Sequence, residues 1–123
     1  PTNLGIKAGK LAPCPNTPNC VSSQSTDPEH AIEPLPYAEI TDIKRVVNNM
    51  ERTTIIEETE NYLYAEFKSK LMGFVDDVEF HKDDVNQVIN VRSASRLGKS
   101  DLGVNRKRVE EIRQQLQALI KNR

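Results

Sequence analysis

Residues 92–108, RSASRLGKSDLGVNRKR, hold six of the chain's seventeen basic residues and a single acid, Asp101. Guanidinium groups present forked donors that match two oxygens of a carboxylate or phosphate at once, so the chemistry this run suggests is recognition of an anion. Arg106, Lys107 and Arg108 open a segment with helical apolar spacing. The partial positive charge of a helix N-terminus disfavours a cation there by roughly 0.3–1 kcal/mol. An anion held by the exposed N–H groups of that end, together with these side chains, would offset the cost. The expected pocket is built from Ser95, Arg96, Asn105, Arg106 and Arg108. Its ligand would be a small phosphate-like or carboxylate anion, or an acidic segment of a partner protein.

A structural role competes with that reading. If Glu66, Asp77 and Arg92 lie side by side on three neighbouring strands, Arg92 is the internal cation that two adjacent carboxylates require. Asp76 falls on the apolar face of its strand and must find donors there, with the hydroxyl of Ser93 and the loop that follows within reach, because unpaired burial costs several kcal/mol. Asp76 or Asp77 could also neutralise the bases at the start of the last helix. Asp101, between Gly98 and Gly103, is expected to organise its loop through local backbone bonds. An enzyme using Asp76, Ser93, Ser95 and Arg96 is the least supported alternative, since no general base of suitable reach accompanies them.

Other motifs carry less. GKS at 98–100 follows a strand as a phosphate-binding loop would, but Ser93 stands where that motif needs glycine. There is no GxSxG elbow, and His81 faces away from Ser93. Asp76 and Asp77 are adjacent in a strand and point to opposite faces, so they cannot share a substrate atom. Cys14, Cys20 and His30 lack a fourth metal ligand, and no metal or cofactor is expected. Three Tyr, three Phe and no Trp leave few stacking platforms for nucleic acid. Cys14 and Cys20 enclose PNTPN; a disulfide there would point to an oxidising compartment, extracytoplasmic or the thylakoid lumen, whereas two thiols would fit the cytoplasm.

The elements that must position these residues are legible from period. Ile40, Ile43, Val47 and Met50 mark one face of a helix from about Ala38 to Arg52, and Val109, Ile112, Leu116, Leu119 and Ile120 mark another from about Asn105 to Lys121. Between them, TTIIEET, NYLYAEFKS, FVDDVEFHK and QVINVRSASR read as three or four strands. A register with Leu63 opposite Phe80 and Ala65 opposite Val78, closing through KLMG, keeps the apolar residues on one face. Val78 opposite Val91 and Phe80 opposite Ile89, closing through DDVN, does the same. The fold class is therefore α+β: an antiparallel meander with two helices on one face. Residues 1–37 contain all seven prolines and both cysteines. They form an irregular arm of the same domain, held by side chains without ladders, and 38–123 form the core.

With 123 residues and 37% apolar content the chain supports one core. Its net charge of −1 argues against bulk attraction to nucleic acid or anionic membrane, and no window reaches the roughly 20 apolar residues of a bilayer span. A membrane link is expected only through an anchor preceding Pro1. The charge is unevenly spread: residues 1–86 carry 8 basic and 15 acidic residues, a balance of −7, and residues 87–123 carry 9 and 3, a balance of +6. The two parts should attract one another.

LAPCPNTPNCVSSQ at 11–24, HAIEPLPY at 30–37, DDVEF at 76–80 and the run at 92–108 together resemble the domain of unknown function 1499 family. The resemblance spans nearly the whole chain, and the arm is most similar to cyanobacterial and plastid members. It implies that CPNTPNC and RSASR with DLGVNR are hallmarks, and that a targeting segment often precedes the domain. It implies no activity. The leading expectation is a binding domain for an anion or acidic partner. The alternative is an assembly module acting through the cysteine-bearing arm, with the arginines structural.

Overall fold

The apolar spacing of the last segment becomes helix α2, Val104–Lys121, which buries Val109, Ile112 and Leu116. The computed structural model describes residues 4–97 and 100–123, so the readings of residues 98–100 as a phosphate loop and of Gly98 as a flank of Asp101 fall outside the described residues. Helix α1, Ile40–Asn48, buries Ile40, Ile43, Val46 and Val47, and its start is fixed by the Glu39 N–H donating to the Asp42 carboxylate at 3.0 Å. It stops short of the expected Arg52. Asn49 and Met50 donate back to Val46 and Val47 in a tightened last turn, Arg52 takes a left-handed φ of 56°, and the Arg52 carbonyl accepts from Lys68 to begin the sheet.

Strands β1 (Cys20–Ser22), β2 (Leu35–Pro36), β3 (Thr53–Glu58), β4 (Tyr62–Lys68), β5 (Val75–Asp83) and β6 (Val88–Ser95) form one antiparallel sheet in the order β1-β6-β5-β4-β3, with β2 also on β6. The meander β3 to β6 is as the alternation predicts, and both helices pack on the face carrying Leu63, Ala65, Val78, Phe80, Ile89 and Val91. The β4–β5 register has Leu63 opposite Phe80 and Ala65 opposite Val78. The β5–β6 register departs from expectation by two residues: Val78 faces Ser93 and Phe80 faces Val91. A slide of two leaves every side chain on its original face, so alternation cannot detect it. The turn decides instead. Asp83 accepts from the N–H groups of Val85 and Asn86 at 3.1 and 3.0 Å, and Gln87 takes the left-handed conformation that closes the loop over 84–87.

The arm differs more. Expected to lack ladders, it supplies β1 and β2, which share the outer edge of β6: Val21 pairs with Ser93, and Leu35 with Ile89. Its first residues also cover the sheet face away from the helices, where Leu4, Ile6 and Leu11 pack on Tyr62 and Tyr64. The Gly5 N–H donates to Glu79 at 2.7 Å. A face that reads as polar in sequence is thereby buried, with Glu79 and Asp77 almost wholly removed from solvent. Burial, reinforced by hydrogen bonds to Glu79 and Asp77, pushes the Tyr62 and Tyr64 phenols well above their ordinary range.

Cys14 and Cys20 form a disulfide, closing a ring that restricts the unfolded chain by roughly 2–3 kcal/mol in loop entropy. His30, itself buried, locks this ring: Nε2 lies 2.7 Å from the Thr17 carbonyl and Nδ1 lies 2.9 Å from the Asp27 carboxylate. Both partners are acceptors, so both ring nitrogens donate and the imidazolium is the preferred form. The Thr17 carbonyl is the largest cause raising the His30 pKa, with burial opposing and Asp27 adding to it. A raised folded-state pKa stabilises the protein fully below the unfolded value near 6.5, and that contribution is lost as pH rises through the folded value. Titration by NMR should accordingly give His30 a pKa above 6.5, and His30→Gln should flatten the fall in melting temperature on the alkaline side of that value. A His30 pKa at or below the ordinary value would contradict this account.

Candidate functional site

The loop between β6 and α2 starts where β6 runs out of partners, and its geometry centres on Asn105. This residue is fully buried in the first turn of α2. Its amide nitrogen donates to Asp101 at 2.7 Å, to Ser95 Oγ at 2.9 Å and to the Asn19 carbonyl at 3.2 Å. Its amide oxygen accepts from Ser93 Oγ at 2.6 Å and from Arg108 at 2.8 Å. Asp101 reaches around the turn to accept from the N–H groups of Gly103 and Asn105, at 2.8 and 3.2 Å. Burial pushes the Asp101 carboxyl up, but hydrogen bonds from the Asn105 side chain and the Gly103 and Asn105 backbones hold it below its ordinary value. Asp101 is thus the negative charge at the positive end of α2.

The basic side chains of the run go to different places. Arg108 pairs with Asp76 at 2.8 Å, donates to Ser93 at 3.2 Å and lies over the Phe67 ring at 4.9 Å. Asp76 therefore finds its charged partner in Arg108, while the Ser93 hydroxyl donates to Asn105. Arg106 turns to the arm, donating to the carbonyls of Ala31 and Glu29 at 2.8 and 3.1 Å. Arg113, two turns on, does the same to Pro34 and Glu33. Arg96 crosses to the opposite sheet face, where it bridges Asp77 at 3.0 Å and Glu66 at 2.7 Å and touches the Tyr64 hydroxyl. Its hydrogen bond to Asp77 is the largest cause holding its pKa above the ordinary value.

The expected row Glu66, Asp77, Arg92 is corrected by the register. Arg92 stands opposite Glu79, and Ala94 stands opposite Asp77, so the cation serving Glu66 and Asp77 is Arg96. Arg92 and Glu79 are both buried, 3.8 Å apart, with Tyr62 donating to Glu79 at 2.6 Å. Burial lowers the Arg92 pKa, and Glu79 and Asp77 oppose the shift. Asp76, Ser93 and Ser95 share the helix face of the sheet, but Arg96 is bonded on the other face, so the four residues of the enzyme reading are not gathered on one set of contacts.

Beside this network lies an open groove of about 1560 Å³. It is larger than the roughly 300–1,000 Å³ of an enclosed small-molecule pocket. It runs between the end of α1, the β4–β5 hairpin and the start of α2, and Ser95, Arg96 and Arg108 line it; Asn105 and Arg106 do not. Phe67, Phe74, Leu97, Leu102 and Val104 give it apolar walls. Lys68 and Lys107 also line it, and neither is ion-paired among the described residues. Sequence reasoning named Lys107 among the bases at the helix start but not as lining a groove, and had no signal for Lys68 or Phe67, which come from a strand distant in sequence. Asn19 was missed because its partners include a carbonyl and a side-chain amide, which leave no pattern, and His30, weighed only as a metal ligand, instead bonds the Thr17 carbonyl and the Asp27 carboxylate.

Removal of one partner from a buried ion pair strands the other, whereas loss of a bond to a carbonyl at the surface does not. Arg108→Ala should therefore lower unfolding free energy by about 3 kcal/mol, and Asn105→Ala by about 2–3 kcal/mol. Arg106→Ala should cost no more than about 1.5 kcal/mol. Urea denaturation checks this order, and a reversal of Arg106 and Arg108 would refute it.

No helix among the described residues is long and apolar enough to cross a membrane. No curated protein and no solved structure matches the chain. A family model described as a protein of unknown function, DUF1499, matches residues 10–116, which include the arm from Lys10 onward, the whole sheet and the helix bearing Asn105 as far as Leu116. The chain therefore belongs to the DUF1499 family.

Proposed function

We propose that this domain binds an anionic amphiphile, a long-chain carboxylate or a similarly headed lipid, in the groove between the β4–β5 hairpin and α2. The observation that carries the reading is the pairing of apolar walls, Phe67, Phe74, Leu97, Leu102 and Val104, with two lysines, Lys68 and Lys107, that no carboxylate among the described residues engages. An apolar tail gains by leaving water at about 25 cal/mol per Å². A single negative head finds its complement at the lysines. The expected anion site of Ser95, Arg96, Asn105, Arg106 and Arg108 is refined accordingly: its arginines are engaged by Glu66, Asp76, Asp77 and main-chain carbonyls. Arg96 and Arg108 shape the groove, Arg106 fastens the arm, and the charge for the ligand comes from the lysines that line the groove with them. The ligand is assigned a tail because the lysines stand beside apolar walls that an inorganic anion alone would leave in water.

Fluorescence titration with cis-parinaric acid tests the proposal. Saturable binding is expected, competed by oleate but not by phosphate. Lys107→Glu should weaken it about tenfold by reversing an ion pair worth up to about 1 kcal/mol. Val104→Glu should weaken it further by placing a carboxylate in the apolar wall, against both the tail and the anionic head. Absence of saturable binding, or a Lys107→Glu variant that binds as the parent does, would overturn the proposal.

A further inference from the structure

Among the described residues eight large apolar side chains are exposed, and six of them gather at one end of the sheet: Leu71, Met72, Phe74, Leu97 and Leu102 from two loops, and Val104 from the first position of α2. Leu71 is 88% exposed and Leu102 86%. The first loop is a built projection. Ser69 and Phe74 close it through two hydrogen bonds, backbone to backbone at 2.8 Å and Phe74 N–H to Ser69 Oγ at 2.9 Å, and Gly73 supplies the left-handed turn at φ +66°. Those contacts hold Leu71 and Met72 at the tip. The turn itself needs only the glycine, and polar residues would satisfy 71 and 72 equally well. Lys68 and Lys70 flank this tip in the chain, and Lys107 lies in the groove between it and the second loop. None of the three lysines is ion-paired among the described residues. The acid nearest in sequence to Leu102, Asp101, is turned inward onto Gly103 and Asn105.

We infer that this end of the domain docks on an anionic bilayer surface, with Leu71, Met72 and Leu102 entering the headgroup region and Lys68, Lys70 and Lys107 meeting lipid phosphates. Exposed unbranched or γ-branched apolar residues beside lysines are the composition of an interfacial membrane contact. A protein interface would share Met72 and Phe74 but is depleted in lysine and enriched in Tyr, Trp and Arg, of which the exposed apolar patch has none. The overall charge of −1 does not prevent docking, because fields beyond roughly 8 Å are screened at physiological salt. At this end Lys68, Lys70 and Lys107 outnumber the one exposed acid of the groove left without an ion pair among the described residues, Glu111, Glu51 being paired with Arg52. The inference deepens the groove reading, since the groove opens beside the tip and a docked surface would supply its amphiphile, but the tip residues Leu71 and Met72 do not line the groove.

Cosedimentation of the full chain with vesicles of phosphatidylcholine and phosphatidylglycerol, against phosphatidylcholine alone, tests it. Binding to the anionic vesicles is expected, declining as salt rises. Leu71→Ser with Met72→Ser should lower partitioning about tenfold or more by removing two apolar side chains from the contact, with an unchanged melting temperature. Lys70→Glu should lower binding to anionic vesicles and leave any neutral-vesicle binding unaltered. In the same double variant cis-parinaric acid binding should persist, which separates the two proposals: loss of vesicle binding with retained probe binding supports docking, and vesicle binding without any probe binding supports docking while ending the groove reading. A parent protein that ignores anionic vesicles, or a double variant that binds them equally, overturns the inference.

Discussion

One buried amide sets the arrangement on which everything else at the sheet's end depends. Asn105 exchanges hydrogen bonds with the arm through Asn19, with β6 through Ser93 and Ser95, with its own loop through Asp101, and with α2 through Arg108. An amide carries no charge, donates and accepts at once with fixed planar geometry, and inside a protein each of its unmet bonds would cost about 1–3 kcal/mol. With it satisfied, the first turn of α2 is held against β6. The Asp76–Arg108 pair then lies at the base of the groove, and Arg108 is free to stack on Phe67.

The uneven charge of the chain is resolved by the same packing. Acids of the meander and of α1 meet bases of the last third: Glu66 and Asp77 meet Arg96, Asp76 meets Arg108, and Asp42 meets Arg123. Arg106 and Arg113 are seven residues apart and so on one side of α2; they address carbonyls instead, seizing residues 29–34 of the arm. The basic run thus serves mostly to fasten segments remote in sequence. What is left over at the surface is lysine.

Much of the scaffold was readable because it rests on period. The burial of Val109, Ile112 and Leu116 follows from spacing alone, and the pairing of Leu63 with Phe80 from alternation together with the closure through KLMG. The β5–β6 register did not, since a slide of two residues preserves the alternating pattern and only the Asp83 turn separates the choices. The arm was illegible for a different reason. Its strands are three and two residues long, too short to show alternation, and its grip on Tyr62, Tyr64 and Glu79 comes through scattered Leu4, Gly5, Ile6 and Leu11. At the site, the sequence showed that bases were concentrated but not where they pointed. Arg96 and Arg108 leave the same loop region for opposite faces of the sheet because strand direction and helix direction separate them.

The sheet's two margins are treated differently. On one side β1 and β2 occupy the rim of β6, and residues 30–32 in turn bond to Ser22, so that rim offers little unpaired backbone. On the other, β3 breaks its ladder between Ile55 and Glu57 and carries two glutamates after the break. A kinked, acidic border repels a second copy brought alongside it. Crowding this protein to high concentration should therefore not string molecules into fibrils by strand addition at that border.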